Sequence, residues 1–198
     1  MIIGITGGTG SGKSTLLHLI AQQGGVIMDC DAIYLELLRT DAELLRRIEN
    51  CFPGTVTDDI LDRKKLGAIV FSDEAALLEL NHITHAAVKK EILRRLETKA
   101  DLVAIDAIGL FEGELDCLCD VTVAVTAPIE IRIRRIMARD GISKAYAQSR
   151  IASQHSDEWF ASKCDCVLEN NGTVEDFQAK CIAFFHKLGI IERKRKGE

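Results

Sequence analysis

The stretch Met1-Ile-Ile-Gly-Ile-Thr-Gly-Gly-Thr-Gly-Ser-Gly-Lys-Ser-Thr15 decides the fold. Ile2, Ile3 and Ile5 form an apolar run long enough for a short buried strand, and from residue 16 apolar side chains recur at helical spacing. Between them lie Gly7, Gly8, Gly10 and Gly12. Gly7 and Gly12 bracket four residues ahead of Lys13 and Ser14, which fits G-x-x-x-x-G-K-[ST] in its strand, loop and helix context. Glycines let successive N–H groups turn inward around an anion where a Cβ would obstruct them. The helix opening at Lys13 adds unpaired N–H groups and the positive end of its dipole. The loop therefore binds phosphate. Lys13 reaches toward the β- and γ-phosphates as a point charge, and the Ser14 hydroxyl is the expected Mg²⁺ ligand, with Thr15 a lesser candidate.

The rest of the chain bounds what such a loop serves. A length of 198 residues suits one core carrying small mobile parts, and 47% hydrophobic with 28% charged residues is the composition of a soluble α/β protein. With 25 Lys+Arg against 30 Asp+Glu the net charge is −5, so the overall charge favours neither nucleic acid nor anionic membrane, and an anionic ligand must be met by local cations. No apolar run approaches the ~20 residues that span a bilayer, and a cytoplasmic location is expected. The 7 cysteines include Cys117/Cys119 and Cys164/Cys166. One intervening residue is awkward for a zinc chelate, so these read as small, mostly buried reduced thiols.

Outward from the loop, residues 26–28 read as a second strand leading into Asp29-Cys-Asp31, and residues 102–106 as a third that again ends in an acid, Asp106. Residues 121–125 and 166–169 supply a fourth and fifth. Ligands of open α/β sheets bind at the carboxyl ends of the strands, which places Asp29, Asp31 and Asp106 on the rim that carries the phosphate loop. From 32 to 100 the pattern is helical throughout, with Asp41 capping between two helices and another helix starting at Leu61. Pro128 opens a helix to about Asp140 whose Arg132, Arg135 and Arg139 share a face. Ser143 caps the next helix, which carries Arg150, and the polar, punctuated segment 140–163 reads as a flap. A final amphipathic helix covers 174–188, and Arg193-Lys-Arg-Lys196 reads as a solvated tail. Strands alternating with helices predict a five-stranded parallel sheet wound on both faces, a P-loop α/β fold.

The glycine loop is shared by kinases, GTPases, ATPases and nucleotide-binding regulators. Asp106-Ala-Ile-Gly109 matches D-x-x-G, but Ser162-Lys-Cys-Asp165 precedes its apolar strand where a guanine-binding motif should follow one. Transfer of a γ-phosphoryl group to an alcohol needs a donor cradle, Mg²⁺, an acid near the acceptor hydroxyl and cations over the migrating charge. Lys13 and Ser14, the rim acids, and the arginine face beside a flap supply a candidate for each, with a solvated, salt-bridged helix as the bland reading of the arginines.

The assembled motifs resemble the dephospho-coenzyme A kinase family. They are T-G-G-T-G-S-G-K-S-T at 6–15, D-C-D at 29–31, L-D-R-K-K-L-G-A-I-V-F at 61–71, L-N-H-I-T-H at 80–85, L-F-E at 110–112, R-I-M-A-R-D-G-I-S at 135–143, R-I-A-S-Q at 150–154 and N-N-G at 170–172. Departures from the family's pattern are Cys30, Leu35, Ala86, Ile108-Gly109 and His155-Ser156. The resemblance implies ATP-dependent phosphorylation of the ribose 3′-hydroxyl of dephospho-CoA, the last step of coenzyme A synthesis, with Mg²⁺ as cofactor. It implies Asp31 as the base, completed by Lys13 and Arg139. It implies nucleotide contacts from Gly8, Thr9, Gly10, Ser11, Gly12, Lys13, Ser14, Thr15, Arg135, Arg139 and Asn171. Acceptor contacts would come from Asp31, Arg63, His85, Asp106, Phe111 and Glu112. It divides the chain into a core (1–31, 101–138 and 164–198), a CoA-binding insertion (32–100) and a lid (139–163). The alternatives carried are a nucleoside or nucleotide kinase, then a GTPase or regulator. A monomer and a small homo-oligomer both stay open.

Overall fold

The computed structural model describes residues 1–191; the basic tail at 193–196 lies outside the described residues. The chain runs β1 (Ile2–Thr6), α1 (Lys13–Gln22), β2 (Val26–Asp29), α2 (Cys30–Thr40), α3 (Ala42–Cys51), β3 (Val56–Thr57), β4 (Ile60–Leu61), α4 (Arg63–Val70), α5 (Glu74–Leu96), β5 (Val103–Asp106), β6 (Val121–Thr126), α6 (Ile129–Asp140), α7 (Lys144–Ala152), α8 (Asp157–Lys163), β7 (Cys166–Glu169) and α9 (Val174–Lys187). Five strands pair in parallel in the order β2-β5-β1-β6-β7. The chain leaves β1 toward one side of the sheet and later returns to its other side. β1 is thus the switch point at which such sheets bind ligands, and the phosphate loop leaves its carboxyl end.

Parallel strands covered on both faces need apolar side chains in both directions, which explains the near-continuous runs in β1, β5 and β6. Ile3 and Ile5 of β1 with Ala104 of β5 face α1 and α9, in a cluster closed by Phe177, Phe184 and Phe185. Val103 and Ile105 of β5 face the other way and join Ile33, Leu44, Ile48, Ile83 and Ile92 from α2, α3 and α5. The helices between residues 32 and 100 therefore share one apolar cluster with the β2 and β5 side of the sheet. Ile133 and Ile136 of α6 pack on Ala147 of α7 in a smaller cluster of their own.

Two expectations from the sequence are corrected. The segment 32–100 is not helical throughout, because β3 and β4 form an antiparallel hairpin pairing Val56 with Leu61 and Thr57 with Ile60. Asp58 and Asp59 at its tip take φ of 52° and 59°, the left-handed pair that a two-residue hairpin turn requires and that short polar side chains tolerate. Leu61 belongs to this hairpin, and the following helix starts at Arg63, where the Lys65 N–H donates to Asp62 Oδ1 at 2.9 Å. The segment 140–163 also holds a second helix, α8, where a punctuated flap was expected. Ser156 Oγ accepts from the Trp159 N–H, Asp157 and Glu158 complement the dipole in the first turn, and Phe160 is wholly buried.

Candidate active site

The loop between β1 and α1 is lined on its inner side by backbone. The N–H groups of Gly10, Gly12, Lys13 and Ser14 carry no hydrogen bond among the described residues, whereas Ser11 N–H donates to Gly8 O and Thr15 N–H to Gly12 O. Gly12 caps α1 with φ of 105°, and a Cβ there would overlap the Asn170 carboxamide. A Cβ on Gly8 would overlap the Arg132 guanidinium. Both glycines are thus required by what packs against the outside of the loop as well as by the anion it can hold inside. Lys13 Nζ donates to Gly7 O at 2.8 Å, folded back over the loop. Ser14 is exposed at the start of α1.

The arginine face of α6 grades from core to solvent. Arg132 is 2% exposed: Nε donates to Thr9 O at 3.0 Å, Nη1 to Asp157 Oδ1 at 3.0 Å and Nη2 to Gln154 Oε1 at 3.3 Å. Gln154 answers on the other side, accepting from the Thr9 N–H at 2.9 Å and donating to Thr9 Oγ1 at 2.7 Å. Arg135 donates to Gly10 O and Ser11 O and, through Nη2, to Asn170 Oδ1 at 3.0 Å, while the buried Asn170 donates to Ser11 O at 2.8 Å. Arg139 projects to solvent, paired with Asp140, which also accepts from Arg150 at 2.6 Å. These two arginines hold the Asp140 carboxyl down to about 2. Arg139 makes no bond to the loop, yet its charge reaches Lys13 and helps lower the lysine pKa.

Opposite the arginines sit the rim acids. Asp29 and Asp106 are register partners at the ends of β2 and β5. Asp29 Oδ1 accepts from the Ala32 N–H at 3.0 Å, so it caps α2. Asp31 stands exposed in the first turn of α2. Asp106 is pushed up to about 6 by burial, with Asp29 and Asp31 adding to the rise and Lys13 opposing it. Lys13 is lowered, first by burial, against the pull of Asp106 and Asp31. Asp106 Oδ1 and Ser11 Oγ are buried with no hydrogen-bond partner among the described residues. Cys30, between the two acids, has its thiol pushed up to about 12 by burial and the neighbouring carboxylates, so it is a neutral wall and no nucleophile.

A cavity of about 240 Å³ opens beside Asp31, bounded by Tyr34 of α2, by Asn81 and His85 of α5, and by Ile108 and Gly109 after β5. Phe111 and Glu112 continue that turn toward α8. His155 Nε2 lies 2.8 Å from Glu112 Oε1, His155 stacks on Trp159 at 3.7 Å, and Phe111 meets the Trp159 ring edge-on at 5.8 Å. Arg63 lies outside this cavity, lining a groove with Leu35, Arg39 and Ile60.

The structure thus gathers Gly8 through Thr15, Arg135 and Asp106 at the loop, with Asp31 and His85 at the adjoining cavity. Asn171 does not face the loop; its Oδ1 accepts from Lys180 Nζ, and Asn170 is the residue turned inward. Arg132, Gln154, Asp157 and Asn170 were not singled out as site residues. Arg132 was visible only as a member of the arginine face. Adjacent Asn170 and Asn171 gave no sign of which one turns in, and Gln154 looked like any polar helix end. Asp165, the acid of the faint guanine motif, accepts from the Thr122 N–H at 2.8 Å near the start of β6. That is the sheet edge away from the loop. The expectation of mostly buried thiols holds for Cys30 and Cys181 only, since Cys51 and Cys117 are exposed and the other three half-buried. Among the described residues no three His, Cys, Asp or Glu side chains come together as a metal cluster.

A phosphate loop at the switch point of a parallel sheet, facing carboxylates across a lysine and bordered by a small cavity, defines a P-loop kinase of small molecules. Residues 1–176 match the family model described as CoaE, dephospho-CoA kinase. A relative named dephospho-CoA kinase from Deinococcus radiodurans is 36% identical over 193 residues, spanning 95% of this chain and 92% of the relative. The crystal structure of TT1252 from Thermus thermophilus superposes with a TM-score of 0.79 at 35% identity, covering 95% of this chain and 97% of the other. A dephospho-CoA kinase from Campylobacter jejuni gives 0.66 at 28% identity, covering 94% and 96%. The chain belongs to the dephospho-CoA kinase family.

Proposed function

We propose that this protein transfers the γ-phosphoryl group of ATP to the ribose 3′-hydroxyl of dephospho-CoA. The observation that carries the reading is Lys13, folded over the phosphate cradle onto Gly7 O and coupled by charge to the carboxylates of Asp106 and Asp31, beside a cavity able to take part of an acceptor. ATP lays its phosphates along the free N–H groups of Gly10, Gly12, Lys13 and Ser14, and Lys13 leaves Gly7 O to meet them. Arg132 and Arg135, whose donors are committed to loop carbonyls and Asn170, hold the cradle in shape. Arg139 exchanges Asp140 for the migrating phosphoryl as the segment 139–163 closes and excludes water. The acceptor hydroxyl gives its proton to Asp31 as its oxygen attacks phosphorus and the bond to the ADP leaving oxygen breaks. The helices from 32 to 100 carry the acceptor.

The site fits Mg²⁺. Ser14 offers a hydroxyl at the cradle, and the unpartnered Oδ1 of Asp106 is a second hard oxygen. Bound there, Mg²⁺ would neutralise charge that develops on the transferring phosphates. Asp106, whose carboxyl burial pushes up to about 6, would help hold it when ionised. No described helix is long and apolar enough to cross a membrane, and the seven free thiols suit the reducing cytoplasm where we place the enzyme.

The test is an acceptor panel. Protein with Mg²⁺-ATP is incubated with dephospho-CoA, with nucleoside monophosphates, or with no acceptor, and ADP and phosphorylated acceptor are both measured. ADP should appear in step with CoA in the first tube alone; ADP made with a monophosphate would indicate a nucleotide kinase instead.

A further inference from the structure

The hydroxyl that reacts at Asp31 belongs to a ribose with two substituents of opposite character, a neutral base at C1′ and a charged diphosphate at C5′. Which of them enters the cavity beside Asp31 follows from the walls. Among the described residues no lysine or arginine lines it, Asp31 forms part of its rim, and the Cys30 thiol stays neutral. A diphosphate placed there would be desolvated against a carboxylate with no lysine or arginine to compensate it and His85 as its one basic neighbour. The cations lie on the outer side of α2, where Arg39 and Arg63 outnumber the single acid, Asp59, in a groove of about 340 Å³, and neither arginine is ion-paired among the described residues. Arg63 is close enough for its charge to pull on the Tyr34 hydroxyl, so Tyr34 stands between the neutral cavity and the cationic groove.

The walls also suit a flat heteroaromatic ring. Tyr34 offers an aromatic side, and Val88 and Leu115 close the cavity with apolar surface. Thr84 spends its hydroxyl on Leu80 O and Asn81 O. The Asn81 carboxamide has no hydrogen-bond partner among the described residues, and it carries a donor and an acceptor side by side. That pair matches the adjacent amino donor and ring-nitrogen acceptor of adenine, the match asparagine makes to adenine in nucleic acids. We propose that this cavity binds the adenine ring of the acceptor, that Asn81 reads its amino-bearing edge, and that the 5′-diphosphate runs outward past Tyr34 to Arg63 and Arg39. The proposal deepens the reading above and rests on Asp31 as the base.

The experiment compares dephospho-CoA with its hypoxanthine analogue, in which the amino donor becomes a carbonyl beside N7, which stays an acceptor, so that a carboxamide can pair with only one of the two, on wild type and on Asn81→Leu. Wild type should prefer dephospho-CoA by about tenfold or more in kcat/KM, because a site built for hydrogen bonds rejects an analogue that leaves them unmade. Asn81→Leu should raise KM for dephospho-CoA by about tenfold, leave KM for ATP unchanged and lose the preference. Asn81→Ala removes both the donor and the acceptor and carries the same test if the leucine variant proves unfolded by circular dichroism; it should lose the preference as well. Equal use of both acceptors by wild type, or a preference retained in a folded variant, would overturn the assignment while leaving the kinase reading intact. Absence of any 3′-phosphorylation of dephospho-CoA would instead bring down the reading on which it rests.

Discussion

Replacing Asp106 by Asn should stabilise the protein near neutral pH while weakening catalysis. Burial holds this carboxyl at about 6, against an ordinary value of 3.8, and among the described residues Oδ1 has no partner to offset the lost water. A group that binds its proton more tightly folded than unfolded is a source of stability only while protonated. Stability therefore falls as pH rises from the unfolded value through the folded one. Holding the carboxyl about two pH units above its ordinary value costs the folded state up to about 3 kcal/mol once both states are ionised. About half of that cost develops between pH 5 and 7.5. Urea melts of wild type and Asp106→Asn across that window give the difference directly. Acids held low in the folded state, such as Asp140 and Glu91, titrate alike in both proteins and cancel. The expected result is an advantage to the variant that grows by roughly 1–2 kcal/mol from pH 5 to 7.5, with a kcat that falls. A difference that stays flat with pH, or a variant less stable at 7.5, would refute the placement of an ionisable, unsatisfied Asp106 beside Lys13.

The arginine face supplies two further tests. Arg139→Ala should lower kcat at least ~10²-fold with little change in stability, since the side chain is exposed and among the described residues pairs only with Asp140; steady-state kinetics showing an unchanged kcat would leave it a solvated residue. Arg132→Met should destabilise by roughly 2–3 kcal/mol, below the range for wholly buried pairs because Asp157 is 24% exposed. Adding Asp157→Leu should recover part of that loss in urea melts. A double variant no better than the sum of the singles would show that the two residues do not act as a pair.

The sheet was legible because its strands are apolar runs of a length and spacing that helices do not produce. The loop was legible because glycine, lysine and serine there answer to one chemistry. What escaped the sequence escaped for local reasons. The β3–β4 hairpin has two residues a side, too short for any alternation to register, and its turn uses Asp58 and Asp59 where glycine would have signalled left-handed backbone. Helix α8 is seven residues with a single wholly buried side chain, Phe160. Helical spacing put Arg132, Arg135 and Arg139 on one face but carried no information on depth, which is set by the loop lying across one end of that face. The inward turn of Asn170 depends on the path after β7, where its N–H donates to Thr126 O at 2.8 Å.

The central claim is that a carboxylate at Asp31 takes the proton of a ribose 3′-hydroxyl while Lys13 holds the donor phosphates. Phosphorus NMR of wild type and Asp31→Asn, each with Mg²⁺-ATP and dephospho-CoA, tests it most directly. Wild type should build a phosphomonoester resonance as the γ-phosphate of ATP disappears, and Asp31→Asn should still bind ATP, by equilibrium titration, but form that resonance at least ~10²-fold more slowly. Monoester formation at equal rates in both proteins would contradict the assignment of Asp31, and its absence in both would contradict the reaction itself.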